Sequence, residues 1–439
     1  MAIVLRPDSR QKTRRTLTIF AFFTGICLFA LPGRAAEPAS GPEIKVSQGD
    51  WPWWRGPGHD GIAEPAQTPP ITWSDKQNIA WVAPVPGRGH GSPIVVGDQV
   101  VLATADKDRD VESVLCFDRT TGRQVWESVV FQGKLPKKMN EKASLASSTV
   151  ACDGERFFIN FLNDDAAWAI ALDRQGGKLW QTRLTDYVIH QGYGSSPLLY
   201  GELVIVSADN KSESGGVIAA LNRLTGEIVW KRNRPSKPNY PSPTIVHVNG
   251  RDQLIMTGCD LVTSLNPSTG EVLWEIDGAT TECVTTTVTD GTHIFTSGGY
   301  PRNHISAVVA DGSGKVAWDE PIRVYVPSMI CSRKRLFGVM DAGIAICLKS
   351  DSGEELWKGR LAGTFSASPV LVGDLIYATN EQGETFIYRA WGEKYQEVGR
   401  NQLGDSVFAT PTFCGNRIYM RAASTVDGKR QEYLYCIAE

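Results

Sequence analysis

One pattern recurs six times along this 439-residue chain and limits its fold more than any other feature. It reads "LCFDRTTGRQVW" at 115–126, "IALDRQGGKLW" at 170–180, "AALNRLTGEIVW" at 219–230 and "TSLNPSTGEVLW" at 263–274. Looser copies are "VVADGSGKVAW" at 308–318 and "ICLKSDSGEELW" at 346–357. Each copy runs apolar strand, Asp or Asn, a glycine turn, apolar strand, Trp. The Asx side chain bonds backbone amides inside the turn and glycine takes the left-handed position, so the unit is a β-hairpin. A second hairpin precedes it, as in "SPIVVGDQVVLATAD" (92–106), "SPLLYGELVIVSAD" (196–209) and "SPVLVGDLIYATN" (368–380). Its starts fall near Ser92, Ser148, Ser196, Ser242, Thr285, Pro327, Ser368 and Thr410.

Two hairpins make four antiparallel strands, and eight starts make eight units of about 45 residues, the period of β-propeller blades. The alternation is that of strands, which argues against a helical solenoid. The eighth unit ends on its third strand at Glu439. A lone strand, "NIAWVAPVPG" (78–87), stands before the first start, and its Trp81 precedes Trp126 by one repeat. That strand should complete the last blade and leave no free edge. The expected fold is all-β, an eight-bladed propeller over 78–439. Residues 1–36 are expected to be a signal peptide, and 37–77 an N-terminal extension holding the Trp-rich "DWPWWRGPGHDG" (50–61). Blade 7 lacks the terminal Trp and has Trp391 earlier, in its third strand.

The pattern of "AALNRLTGEIVW" resembles the tryptophan-docking motif of PQQ-like (pyrroloquinoline quinone) repeat propellers, and the likeness covers about four-fifths of the chain. These belong to the quinoprotein alcohol dehydrogenase-like superfamily, which also includes outer-membrane assembly scaffolds of the BamB type. The resemblance implies that Trp81, Trp126, Trp180, Trp230, Trp274, Trp318 and Trp357 dock each blade on its neighbour. It does not imply a quinone, because the repeated Trp has a structural role. The dehydrogenases of this superfamily carry an adjacent Cys-Cys pair, which this chain lacks, and the chain has no C-x-x-C-H haem motif.

Strand order sends the tight turns to one face. The connections after each second strand and between blades lie on the other, which is the expected functional face. The first group of loops supplies Lys107, Asp164, Asp165, Asp209, Asn210, Arg302, Asp341, Asn380 and Glu381. The entries to the innermost strands supply His90, Lys142, His190, Tyr193, Tyr240, Glu282, Tyr325, Phe365 and Phe408. A propeller gathers such groups around its axis, where a concave polar cluster is the default site. No spacing among them picks out a metal-ligand set, a nucleophile elbow or a phosphate loop.

Cys152, Cys331 and Cys414 share one position in the first strand, and Cys116, Cys347 and Cys436 share one in the third. A strand lies between the two sets, so they are too far apart to bridge and are expected as buried thiols. Cys259 and Cys283, at the junction of blades 4 and 5, stay open as a pair.

The expected leader has a basic head, an apolar run from Leu17 to Leu31 and a small-residue cleavage region. That run is short for a membrane span. Removing residues 1–36, with six basic side chains and one acidic, takes the formal net charge from −3 to −8, which disfavours nucleic acid as a partner. The expectation is a periplasmic or secreted monomer without cofactor, a non-enzymatic module binding an envelope protein, peptide or glycan. The alternative is a calcium-dependent PQQ oxidoreductase acting on alcohols or sugars. The three tryptophans of the extension are expected to pack structurally over the propeller wall or rim near blades 8 and 1.

Overall fold

The computed structural model describes residues 43–248 and 250–439, all within one unit, Ser40–Glu439. The expected leader lies outside the described residues. Among the described residues, thirty-two strands form eight four-stranded antiparallel sheets. Blade 1 comprises β2 (Ile94–Val96), β3 (Gln99–Asp106), β4 (Val111–Asp118) and β5 (Gln124–Gln132), in order from the axis outward. Blades 2 to 7 repeat this order. Blade 8 takes three strands from the C-terminus (Thr412–Cys414, Arg417–Val426, Lys429–Ile437) and its outer strand from β1 (Ile79–Val85). The N-terminal strand thus closes the ring, with Trp81 opposite Cys436.

The repeat exists because of one contact. The outer strand of each of blades 1 to 6 and of blade 8 carries a Trp. In six of these seven, the indole lies on the glycine of the next blade's third-to-fourth-strand turn. A Cβ on Gly122 would come within 2.5 Å of the Trp81 ring, and on Gly226 within 2.6 Å of the Trp180 ring. Gly176, Gly270 and Gly353 lie similarly close to Trp126, Trp230 and Trp318, and Gly312 sits under Trp274. Several indole N–H groups also donate to a carbonyl of the same turn: Trp81 to Arg119, Trp126 to Arg174, Trp180 to Arg223, Trp230 to Pro267 and Trp318 to Ser350. The glycine therefore has two duties. It holds φ between +71° and +88° in the turn, and it leaves the flat surface on which an indole rests.

Trp357 departs from the docking pattern expected of it. It is buried and faces blade 7, but it meets tyrosines there instead of a turn glycine. Tyr388 lies edge-on to its ring at 6.0 Å and Tyr395 is tilted against it at 6.2 Å. Its indole N–H donates to no turn carbonyl and has no hydrogen-bond partner. The cause lies in blade 7, where residues 390–396 make a longer connection between third and fourth strands than the tight Asx-glycine turn. That connection brings Tyr395 over Gly359, where a Cβ would come within 2.1 Å of the ring. The bare position has moved from the turn to the strand that carries Trp357.

A register shift at the start of the outer strand, as between Ala220 and Leu221, adds one residue just before the Trp. Val125, Leu179 and Val229 occupy that place and face outward. The Trp then falls opposite a small third-strand residue: Cys116, Ala171, Ala220, Ser264, Ala307, Cys347 or Cys436. This is why cysteine recurs there. It fills a slot that must stay small beneath an indole. All eight described cysteines are buried free thiols, so the open pair Cys259–Cys283 does not form. Cys259 lies against Asp209, and Cys283 lies against Thr280.

Blade 7 lacks the docking Trp for a topological reason. Its neighbour, blade 8, has no turn between third and fourth strands, because its fourth strand is β1. The 7–8 junction is filled from the extension instead. Trp73 is buried in the core shared by blades 7 and 8, stacks on Tyr377, and donates its backbone N–H to Asn401. Trp391 lies beyond the third strand of blade 7 (Glu384–Arg389), past its expected place, and packs edge-on against Phe337.

Nearer the axis a belt of hydroxyls links the innermost strands. Ser92 N–H donates to Thr149 Oγ1 (3.0 Å), Thr149 N–H to Ser196 Oγ (3.0 Å) and Ser196 N–H to Ser242 Oγ (2.9 Å). The second arc runs Thr286 N–H to Ser328 Oγ (3.0 Å), Ser328 N–H to Ser368 Oγ (2.9 Å) and Ser368 N–H to Thr410 Oγ1 (2.9 Å). At the closing junction the Thr412 hydroxyl donates to the Pro93 carbonyl. Most of these are the Ser-Pro and Thr-Pro starts of the repeat. Each accepting hydroxyl satisfies a buried N–H that the end of a short strand leaves over.

Gly122→Ala should therefore cost about 2–5 kcal/mol, combining left-handed backbone strain with overpacking against Trp81. Gly428→Ala, also at positive φ but with nothing within 4 Å, should cost only about 1–2 kcal/mol. Urea unfolding midpoints of the two variants separate the contact from the turn.

Candidate functional site

The extension does not lie over the wall or rim; it enters the axial channel. Residues 45–63 run from the face of the tight turns across six of the eight innermost strands, blade 8 included, where the Cys414 thiol donates to the Gly49 carbonyl. Lys45 N–H donates to Asp153 O, and the Asp50 carboxylate accepts from Gly97 N–H. Trp51 pairs with Val95 of blade 1, and Pro52 O accepts from Cys152 of blade 2. Trp54 Nε1 donates to Thr286 Oγ1 of blade 5 (2.8 Å), and the Arg55 guanidinium donates to the Met329 carbonyl of blade 6. Ile62 pairs with Leu371 of blade 7.

Local sequence explains how the segment turns inside so narrow a space. Gly56 and Gly61 both hold positive φ, and a Cβ on Gly56 would strike the Trp51 indole at 2.9 Å. His59 stacks on Trp53 at 5.0 Å. Asp60 Oδ1 accepts from Ile62 N–H, and Asp60 O accepts from Arg55. Burial lowers the Arg55 guanidinium to about 10, opposed by nearby Asp60, and lowers His59 to about 4. Trp51 joins the core of blades 1, 7 and 8, and Trp53 that of blades 2 and 3. The three tryptophans thus divide the work. Trp51 and Trp53 anchor the plug, and Trp54 stops at the level of the hydroxyl belt with its indole half-buried.

Above Trp54 a funnel of about 530 Å³ opens on the face of the inter-blade connections. Trp54 is its floor. Its walls carry Tyr193, Tyr240, Tyr325, Phe365, Phe408 and His90, and the belt hydroxyls of Ser196, Ser242, Thr286, Ser328, Ser368 and Thr410 line it from the strand starts. His90 stacks on Phe408 at 4.4 Å, and burial beside Arg88 and Arg421 lowers it well below the usual imidazole range. The connection between blades 1 and 2 reaches over the mouth. Asn140 bonds Gln191 (2.6 Å) at the entry to blade 3, and Lys142 pairs with Glu381 of blade 7 (2.9 Å).

Of the sequence-derived candidates, His90, Lys142, Tyr193, Tyr240, Tyr325, Asp341, Phe365, Glu381 and Phe408 meet in this funnel. Asp341 accepts from Arg323 Nε (2.8 Å) and from the N–H groups of Tyr325 and Val326, and Glu381 accepts from Lys142 and Ser366. The others lie elsewhere. Asp209 is buried against Arg234 and Asn239. Asn210 and Asn380 cap their own loops, accepting from Ser212 and Gln382 N–H respectively. Asp164 and Asp165 form an exposed left-handed turn, with Asp164 paired to Lys134. His190 sits on the rim between Lys211 and Glu282, and Arg302 reaches the exposed Asp319. Lys107 lines a separate groove between blades 8 and 1. Reasoning from loops missed Trp54, because it arrives from outside the repeat, and the belt hydroxyls, because serine before proline reads as a strand start.

The chain matches, over residues 110–359, the family described as outer membrane protein assembly factor BamB. It is 25% identical over 361 residues to the outer membrane protein assembly factor BamB of Burkholderia pseudomallei, covering 78% of this chain and 85% of that protein. It is 24% identical over 294 residues to a polyvinylalcohol dehydrogenase of a Pseudomonas species, covering 55% of this chain but 44% of that enzyme. The chain therefore spans less than half the length of that dehydrogenase. Among solved structures, a europium-containing methanol dehydrogenase superposes with a TM-score of 0.64 at 13% identity, covering 90% of this chain and 98% of that one, a likeness of fold. Among the described residues no helix is long and apolar enough to cross a membrane.

His59, half-buried in its stack on Trp53, makes the plug sensitive to acid. A folded-state value near 4 for His59, below the free imidazole value, means that the unfolded chain binds more protons between about pH 6.5 and 4, so stability falls as pH drops through that window. His59→Phe keeps the stack on Trp53 and should reduce that loss by about 1–3 kcal/mol at pH 4, read as the difference between wild-type and variant urea midpoints at pH 4 and 7.5.

Proposed function

From the premise that this chain belongs to the BamB family of PQQ-repeat propellers, we propose that it is a non-enzymatic binding module of the cell envelope, with the axial funnel as its binding site. The single observation that carries this reading is the funnel itself, a concave aromatic site closed below by Trp54, whose carboxylates already have partners within the protein. Export by residues 1–36, a periplasmic or secreted location and a monomeric state complete the proposal.

A calcium-bound quinone fits these residues poorly. Calcium takes about six to eight oxygen ligands. Asp341 faces Arg323 and two backbone N–H groups, and Glu381 faces Lys142 and Ser366, so neither offers a free edge toward a shared point. Among the described residues no three acidic, His or Cys side chains gather as a metal site. A planar quinone that bears several carboxylates needs unpaired cations, and the two that line the funnel, Lys142 and Arg323, are each engaged.

The test has two arms. Protein mixed with the quinone and Ca²⁺ should show no dye-linked oxidation across a panel of alcohols and sugars. A photo-crosslinking residue at Thr364, inside the funnel, should give a discrete adduct in the native envelope, whereas the same residue at Val229 on the outer wall should not. Turnover in the first arm, abolished by Trp54→Ala, would establish the oxidoreductase in place of the binding module.

A further inference from the structure

We propose that the funnel is a saccharide site: it takes an uncharged ring of an oligosaccharide, laid flat on the Trp54 indole and held at its edge by the belt hydroxyls. This rests on the funnel being the binding site.

The first observation is the floor. Trp54 Nε1 is committed sideways to Thr286 Oγ1 at 2.8 Å, which fixes the indole and leaves a half-buried face at the bottom of the cavity. A ring with an apolar face and a polar edge matches such a platform, because the aromatic face takes the C–H surface and nothing polar is stripped of water beneath it.

The second is the annulus. Ser196, Ser242, Ser328, Ser368 and Thr410 each accept a neighbour's backbone N–H and also line the cavity. A hydroxyl that accepts one bond keeps its own O–H and a second lone pair. The floor is thus surrounded by neutral groups that can both donate and accept, spaced one per blade. Asn140 and Gln191 add amides at the mouth. Groups able to act in either sense around a flat platform complement the ring of hydroxyls on a sugar.

The third is charge. Lys142 and Arg323 line the funnel, yet each holds a largely buried carboxylate, Glu381 and Asp341. An anionic ligand would have to draw the cation away and leave that carboxylate unpaired, at a cost that a neutral ligand avoids. Cationic ligands face the converse problem. The site sets neutral polar groups among aromatic walls without offering a free charge of either sign. Its volume of about 530 Å³ lies within the range of ordinary ligand pockets and leaves room for a short oligosaccharide.

The experiment titrates the full exported chain, by tryptophan fluorescence and calorimetry, with cellotetraose, maltotetraose and chitotetraose. A trigalacturonate and a neutral tetrapeptide serve as the competing classes. At least one neutral tetrasaccharide should saturate a single site, with an affinity that changes less than about twofold between low and high salt, as expected of an uncharged ligand. Trp54→Ala should weaken it at least tenfold. Thr364→Trp, which fills the cavity from the wall, should abolish it with the unfolding midpoint unchanged, so that loss of binding is not loss of fold. Saturation by the peptide or the trigalacturonate instead, blocked by Thr364→Trp, would overturn the sugar assignment and leave the funnel as a binding site. If no probe of any class binds while the Thr364 crosslink is also absent, both the assignment and the funnel reading fall.

Discussion

An indole resting on a glycine is the contact from which the rest of this molecule follows. A blade is a twisted sheet whose two faces are both buried, and neither face can be satisfied except by another blade. The Trp of one outer strand and the bare turn of the next set the distance and angle between blades, and the small residue opposite the Trp lets the ring sink to that depth. Substituting either partner changes the geometry of a junction that seven others must match, because a closed ring has no end at which to discharge an error. The two junctions of blade 7 keep that geometry by other means. Before it, Trp357 meets Tyr388 and Tyr395 in place of a glycine. After it, blade 8 has no turn to receive an indole, and Trp73 from the extension fills the gap.

Closing a ring of eight leaves a channel along the axis, and the molecule handles the two ends of it differently. One end is filled by residues 45–63, whose aromatic groups seat in the cores of neighbouring blades while their backbone pairs with innermost strands. The other stays open as a funnel. The belt of hydroxyls lies between them and serves both: it ties strand starts together, and it presents uniform, uncharged hydrogen-bonding groups to whatever enters. The side chains that tie the strand starts together are also those that line the funnel.

How much of this could be read from the sequence follows from periodicity. The repeat counted its own strands, so the eight blades and the closing strand at Trp81 were legible from it alone. It also marked the position of every outer-strand Trp, but not the partner of Trp357, since the receiving loop of blade 7 has lost the repeat. Residues 43–77 have no period. Three tryptophans in four residues announce burial, but nothing in them states an address, and the wall or rim was expected where the channel was found. Site residues divided along a similar line. Asp209, Asn210 and Asn380 looked like free polar groups on a functional face, yet they satisfy a buried arginine or their own loop backbone. A short Asx side chain at a loop is equally suited to serving a ligand or its own turn, and only the fold decides. Aromatic entries such as Tyr240 and Phe408 were more dependable, because a large ring at the start of an innermost strand can hardly point anywhere but the axis.

The position of the plug in the chain has a consequence for the order of assembly. Residues 45–63 are made before every blade they touch, and their last partner, Cys414 of blade 8, whose thiol donates to the Gly49 carbonyl, follows them by more than three hundred residues. They cannot finish seating until the ring is nearly complete, because Trp51 packs against blades 7 and 8. Contacts of such long sequence separation form late. The plug is then the last element to finish seating, and a chain cut short before blade 8 would leave it partly unpartnered. A seated plug reports that the whole ring has folded.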